Sequence, residues 1–332
     1  MSIAGDAIAG RREARARVAL WKPALAVLAA ILLAAVPWVA SPTMIQFGIS
    51  TLLIASLAQA WNIIGGYAGY ASFGNSVFYG LGSYGTAVAM VQWNLPFGAG
   101  LALGALVAVV FAVLLGLPVL RLRGHYFAIA TLALAQVMAA VVANLDITGR
   151  NIGLVLPLAR GDAMFYELAL GLLVVATLTV AWVAHSRFGY GLIAIREDED
   201  AASAIGVNAT LLKVTAFALA GILSGVAGGI HAYWITFIDP ASAFDLSLNV
   251  RMIIMAVFGG AGSVFGPVVG AFVLSAVSEV LSSEVSSIAS LFFGVVIVVA
   301  VVLMPRGLAD LLRRWRTTGL RYFADNIRSN RV

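Results

Sequence analysis

Apolar runs of about twenty residues recur from one end of this chain to the other, and that repetition fixes the solvent in which it folds. Runs at about 24–40, 44–64, 72–92, 98–118, 125–145, 164–184, 212–235, 264–282 and 286–304 approach the length at which a helix crosses a bilayer core. A further run, 249–259, is too short to cross alone and is expected to join its neighbour as a broken or re-entrant element. With 62% hydrophobic and 11% charged residues the chain cannot cover a water-facing surface, which needs about a quarter charged residues. A β-barrel would show short alternating segments instead. The sequence therefore predicts an all-α polytopic membrane protein with about 8–10 transmembrane helices.

Charge sets the expected orientation. Arg121, Arg123, Arg187, Arg196, Lys213 and the tail arginines Arg306, Arg313, Arg314 and Arg316 fall on one side of the predicted spans. Arg150 and Arg160 fall on the other, with Arg251 near the start of a span. The positive-inside rule then places both termini in the cytoplasm, with ten spans or with eight. The expected organisation is a basic cytoplasmic segment 1–23, a transmembrane domain 24–304 interrupted by a cytoplasmic loop at 186–212, and a basic tail 305–332. Arg11, Arg12, Arg15, Arg17 and Lys22 before the first apolar run resemble a signal peptide, but no small-x-small site follows and the run is read as a retained span. Leu308, Leu311, Leu312 and Trp315 give the tail an amphipathic pattern suited to an anionic lipid surface. The net charge of +5 is accounted for by these span-end residues and implies no nucleic acid partner.

One polar stretch, Ser186–Lys213, breaks the hydrophobic pattern, with Arg196, Glu197, Asp198, Glu199 and Asp200 in a single run. A connection between neighbouring spans can be much shorter, so the length calls for a use. Leu192, Ile195, Ala202 and Ile205 share one helical face and the charges cover the rest, which predicts a short amphipathic helix at the membrane surface. Gly206 suits the position after its C-terminus, and Asn208 the N-cap of the next helix.

Two glycine-rich stretches, 65–85 and 259–270, each begin with Gly-Gly and each reach a Phe-Gly pair, at Phe73-Gly74 and Phe265-Gly266. Glycine at this density permits close helix packing, or broken backbone where it lines a cavity. Their positions in opposite halves of the chain hint at a duplicated element around a central pathway. Gln59, Asn62, Asn75, Ser76, Thr131, Gln136 and Asn144 are the polar residues inside spans, either pathway-lining or bonding helix to helix.

Catalytic signals are absent. There is no cysteine, and His125, His185 and His231 stand at three separate span ends without metal-ligand spacing. No carboxylate sits firmly mid-membrane, which disfavours an ion-coupled carrier. Lys22 follows Trp21 and Lys213 follows Leu212, so the Gly-Lys pair of a phosphate-binding loop is missing. If ATP drives any process here, another polypeptide hydrolyses it.

Four blocks carry a family resemblance. They are Gly69-Tyr70-Ala71-Ser72-Phe73-Gly74-Asn75 with Phe78–Tyr84, then Arg121–Leu132, then Ser186–Phe217, then Val257–Pro267. Together they resemble the LivM-type permease subunit of branched-chain amino acid ABC importers. Asn75 stands where that family usually has histidine, and Tyr190 where it usually has a basic residue. The resemblance implies a bacterial inner-membrane protein that binds no cofactor itself. Its implied partners are a second, LivH-like permease, two cytoplasmic ATP-binding subunits carrying ATP and Mg, a periplasmic substrate-binding protein and membrane lipids. It implies that a coupling helix containing Ile195, Arg196, Glu197, Asp198, Ala201, Ala202 and Gly206 docks on an ATPase. Gly69, Ser72, Asn75, Tyr79, Tyr126, Thr131, Gly259, Gly260 and Gly262 are the translocation-pathway candidates. Hydrophobic amino acids are the expected cargo; urea, short amides or aromatic acids are alternatives, as is a carrier or channel acting alone.

Overall fold

The computed structural model describes residues 31–158 and 161–284, with the side chains of 281–284 excepted. Most of the expected first span at 24–40, all of the last at 286–304, and the segments 1–23 and 305–332 lie outside the described residues. Helix α1, Pro42–Asn62, starts where Ser41 accepts a hydrogen bond from the Met44 amide and Pro42 occupies the first turn, where its missing N–H costs nothing. It continues through a π-helical turn, Ile63–Tyr67, into irregular backbone at 68–74. Then follow α2 (Asn75–Val91), α3 (Phe97–Val119), α4 (Gly124–Asn144) and α5 (Asp162–His185). Two short helices, α6 (Arg187–Glu197) and α7 (Glu199–Ala204), lead to α8 (Ala209–Ile235). The described chain ends with α9 (Pro240–Ala243), α10 (Leu246–Gly259) and α11 (Gly266–Glu284). Strands β1 (Leu154–Val155) and β2 (Phe237–Ile238) pair antiparallel, with Leu154 opposite Ile238.

Six helical stretches among the described residues are long and apolar enough to cross a membrane. They are Pro42–Tyr67, Phe97–Val119, Gly124–Asn144, Asp162–His185, Ala209–Ile235 and Pro240–Gly259. In the last, the run expected at 249–259 belongs to the 14-residue α10, which reaches crossing length only with α9 before it. Asp239 caps α9 and Asp245 caps α10, so two helical pieces together make a 20-residue stretch. Exposed apolar stripes line the outside of the bundle: Leu106, Val110, Leu114 and Leu117 on α3, and Val174, Val175, Leu178 and Trp182 on α5. Such stripes are a liability in water and an ordinary outer surface in lipid. The chain is an all-α polytopic membrane protein.

The run expected at 72–92 is α2, and its 17 residues extend only about 26 Å at 1.5 Å each. It is the hub of the fold, buried along almost its whole length and packed between α3 and α8. A Cβ on Gly82 would lie 2.1 Å from the Gly225 carbonyl oxygen, and one on Gly228 2.0 Å from that of Tyr79. The backbones of α2 and α8 therefore touch, which larger residues at those positions would prevent.

Contacts between helix termini bring the ends of α1, α3, α5 and α10 and the starts of α2, α4 and α8 to one end of the bundle. Arg121, Arg123, Arg187, Arg196 and Lys213 belong to the segments joined there. The β1–β2 ribbon and the Asp239 cap belong to the opposite end.

Candidate functional site

The polar segment folds as two helices where its periodicity predicts one. Asp198 adopts an extended conformation (φ −160°) and accepts hydrogen bonds from the Asp200 and Ala201 amides, both at 2.9 Å. Aspartate satisfies free amides at a helix start better than it serves a helix interior, so the charge run becomes a cap. Leu192, Ile195 and Ala202 face inward as their spacing predicts. Ile205 does not. It lies beyond the end of α7 and is 79% exposed. Gly206 takes the positive φ of 92° that closes the segment, and Asn208 caps α8 by accepting from the Leu211 amide at 3.0 Å.

Behind α7 sits a buried ionic latch. Lys213, one turn into α8 and only 3% exposed, directs its three ammonium protons at three acceptors. They are Glu199 Oε1 at 2.7 Å, the Leu120 carbonyl at 2.9 Å and the Tyr70 hydroxyl at 3.1 Å. Tyr70 donates in turn to the other Glu199 oxygen, and the Lys213 ammonium lies 4.8 Å from the Tyr70 ring centre. Burial alone would raise the Glu199 carboxyl. The hydrogen bonds from Lys213 and Tyr70 and the charges of Lys213 and Arg123 outweigh it and hold the group below its ordinary value. Burial, then the bond to Glu199, keeps the Tyr70 phenol protonated well above its usual range. On the surface Arg123 grips Asp200 with two parallel 2.9 Å bonds. The segment is thereby tied to the ends of α3, α4 and α8 and to the 68–74 stretch.

Arg196 ties it to something further. Its Nη1 donates to the Gly66 carbonyl at 3.0 Å, in the turn that ends α1. Its stem lies so close to Gly69 that a Cβ there would be 2.4 Å from Cγ. A Cβ on Gly262 would be 3.2 Å from the same Nη1. Gly69 and Gly262 both have left-handed backbone, with φ of 75° and 78°, so a side chain is unwelcome at either on two counts. The two glycine-rich stretches also meet directly. Asn62, fully buried, donates to the Ser263 carbonyl at 2.9 Å and accepts from the Gly262 amide at 2.7 Å, while Gln59 donates to the Val264 carbonyl at 2.7 Å.

Residues 41–301 match the family model described as the branched-chain amino acid transport system, permease component. The chain belongs to this permease family. It is 28% identical to the high-affinity branched-chain amino acid transport system permease protein LivM of Salmonella typhimurium over 320 residues, covering 86% of this chain and 75% of the relative. The LivM protein of Escherichia coli K12 matches at 27% with the same coverage. The autoinducer 2 import system permease protein LsrC of Photorhabdus luminescens is 28% identical over 113 residues, about a third of each chain (32% and 34%). No solved structure matches.

Within this permease the pathway candidates separate into five groups. Gly69 and Gly262 face each other across Arg196, with Gly259 and Gly260 in the turn leading to Gly262. Ser72 and Thr131 are fully buried and fasten the 68–74 stretch. The Ser72 hydroxyl accepts from the Gly74 amide at 3.1 Å, and Thr131 accepts from the Phe73 amide at 3.0 Å. Asn75, also fully buried, reaches Ser224 at 3.5 Å. Tyr79 lines a cleft of about 510 Å³ between α1, α10 and α11, together with His231, Trp234, Arg251 and Glu279. Tyr126 stands apart, 76% exposed on the outside of α4.

Two members of the docking set are interior. Ile195 and Ala202 pack with Ala209 in a small apolar cluster, whereas Arg196, Glu197, Asp198, Ala201 and Gly206 are exposed. The sequence reading missed Tyr70, Glu199 and Lys213 as a unit. It also missed Asn249, which donates to the Phe73 carbonyl at 2.7 Å and to Ser76 at 2.6 Å and accepts from the Ser76 amide at 3.0 Å. A signal for Lys213 existed. It is the one lysine after position 22, placed four residues inside an apolar helix where an ammonium without acceptors is costly.

Proposed function

We propose that this chain is the membrane-spanning permease subunit of an ABC importer for branched-chain or other hydrophobic amino acids. Separate subunits supply the ATP hydrolysis. Its partners in this reading are a LivH-like second permease, two cytoplasmic ATP-binding subunits and a periplasmic binding protein that delivers the cargo. Both termini and the α6–α7 segment lie in the cytoplasm, in keeping with the basic residues at that end of the bundle.

The observation that carries the reading is the two-sidedness of α6–α7. Its inner face is locked to four other elements through Lys213, Arg123 and Arg196. Its outer face presents Glu197, Ala201 and Ile205, all exposed among the described residues. A helix held this way transmits force from whatever seats on it. ATP binding closes the ATPases, displaces the segment, and alternates the path between outward- and inward-open states. The drive is the difference in the nucleotide's affinity between the two states, since equal affinity would shift nothing. We place the solute path at the cleft lined by Tyr79, Arg251 and Glu279. Its volume of about 510 Å³ is of the size that encloses a small molecule, and its walls mix polar and apolar groups.

The test is to purify the tagged chain in mild detergent and identify what accompanies it. A second permease and ATP-binding subunits are expected, with ATP-dependent uptake of radiolabelled leucine after reconstitution. Ile205→Asp is expected to reduce recovery of the ATP-binding subunits at least tenfold while leaving the helical content unchanged. A lone chain that moves leucine without ATP would overturn the proposal.

A further inference from the structure

Of the cations in the coupling segment, Arg196 has the least expected placement. The charge run of which it is part reads as a docking surface, yet Nη1 of its guanidinium reaches back into the permease while the side chain stays 39% exposed. It arrives where two backbone turns, separated by about 200 residues of sequence, come within contact of one another. A Cβ on Gly66 would lie 2.4 Å from the Gly262 amide nitrogen, so no side chain fits between the turns. Arg196 is the side chain of the segment that reaches both. Its Nη1 is bonded to Gly66 at 3.0 Å and would lie 3.2 Å from a Cβ on Gly262, its methylene stem rests on Gly69, and its Nη2 holds the neighbouring Glu197 at 3.1 Å. Glycine at 69 and 262 supplies both the left-handed backbone and the room for this stem and head group.

We propose that Arg196 is a positioning residue, a crosspiece that joins the coupling segment to both glycine turns so that one displacement of α6 moves the two together. The role goes beyond the importer reading and rests on it. The turns sit at the ends of α1 and α10, the two helices that flank the cleft, so moving them as a pair repositions two of its walls. Moving one alone would shear the Asn62 bonds that hold them to each other. A guanidinium suits the task because it is planar, stays charged and carries several donors in fixed directions.

The test uses the whole assembly, this chain with its second permease and ATP-binding subunits in vesicles, and compares wild type with Arg196→Met, Arg196→Ala and Arg196→Lys. Arg196→Met keeps the stem against Gly69 and removes only the linking head group, so it decides the question if Arg196→Ala does not insert. In Arg196→Met the ATP-binding subunits should still co-purify and the melting temperature should stay within a few degrees. Leucine taken up per ATP hydrolysed should fall at least tenfold. Arg196→Lys, which retains one donor, should recover part of that ratio. A purely structural role would lower melting temperature and leave the ratio intact. Wild-type uptake per ATP in Arg196→Met, or loss of the ATP-binding subunits from it, would overturn the crosspiece role. A wild-type assembly without ATP-driven leucine uptake would overturn the importer reading, and this role with it.

Discussion

The two glycine-rich turns look alike in sequence and are held in different ways. The first, around 68–74, is fastened from all sides: Trp61 donates to the Ser72 carbonyl at 2.8 Å, Thr131 and Asn249 grip Phe73, and Tyr70 is clamped by Glu199 and Lys213. The second, around 260–265, is held chiefly by two side chains of α1, Asn62 and Gln59, and by its own Ser263. One turn is a base and the other hangs from α1. Similar glycine content sets what the backbone can do, and the polar residues of neighbouring helices set how firmly it is kept there.

Breaking the base should cost most. Lys213→Met leaves the half-buried Glu199 without its ammonium partner, with only the exposed Arg123 3.8 Å away, and removing one member of such an ion pair destabilises by about 3 kcal/mol. The expected outcome is a melting temperature lowered by several degrees in detergent, with partial recovery when Glu199→Gln is added. No recovery would mean that Lys213 acts by filling space. Asn249→Ala should come next. It strands the Phe73 carbonyl and the Ser76 amide in the interior, at about 2 kcal/mol by the same melting measurement. Asn62→Ala should cost least, about 1 kcal/mol, because it frees the turn that depends on α1 and leaves the base intact.

Much of the fold could be read from hydrophobic run length alone, because lipid forces each crossing into a helix of nearly fixed length. The ends of the polar segment were equally legible, since Gly206 and Asn208 carry local signals that need no tertiary partner. Asp198 could have been read as the cap that breaks the segment, but the helical spacing of Leu192, Ile195, Ala202 and Ile205 ran across it. The site itself was hidden. Meetings such as Asn62 with Ser263, or Arg196 with Gly66, join residues more than a hundred positions apart and leave no periodic trace. Buried α2 likewise reads as one more span, because a helix surrounded by protein and a helix surrounded by lipid are both apolar on every side.

The central claim is the inequality of the two turns, and amide hydrogen exchange of the chain in lipid nanodiscs tests it most directly. Peptides covering 68–74 should exchange at least tenfold more slowly than those covering 260–265, and Asn62→Ala should speed the second set while leaving the first unchanged. Equal protection of the two turns, or an Asn62→Ala effect that spreads equally to 68–74, would contradict it.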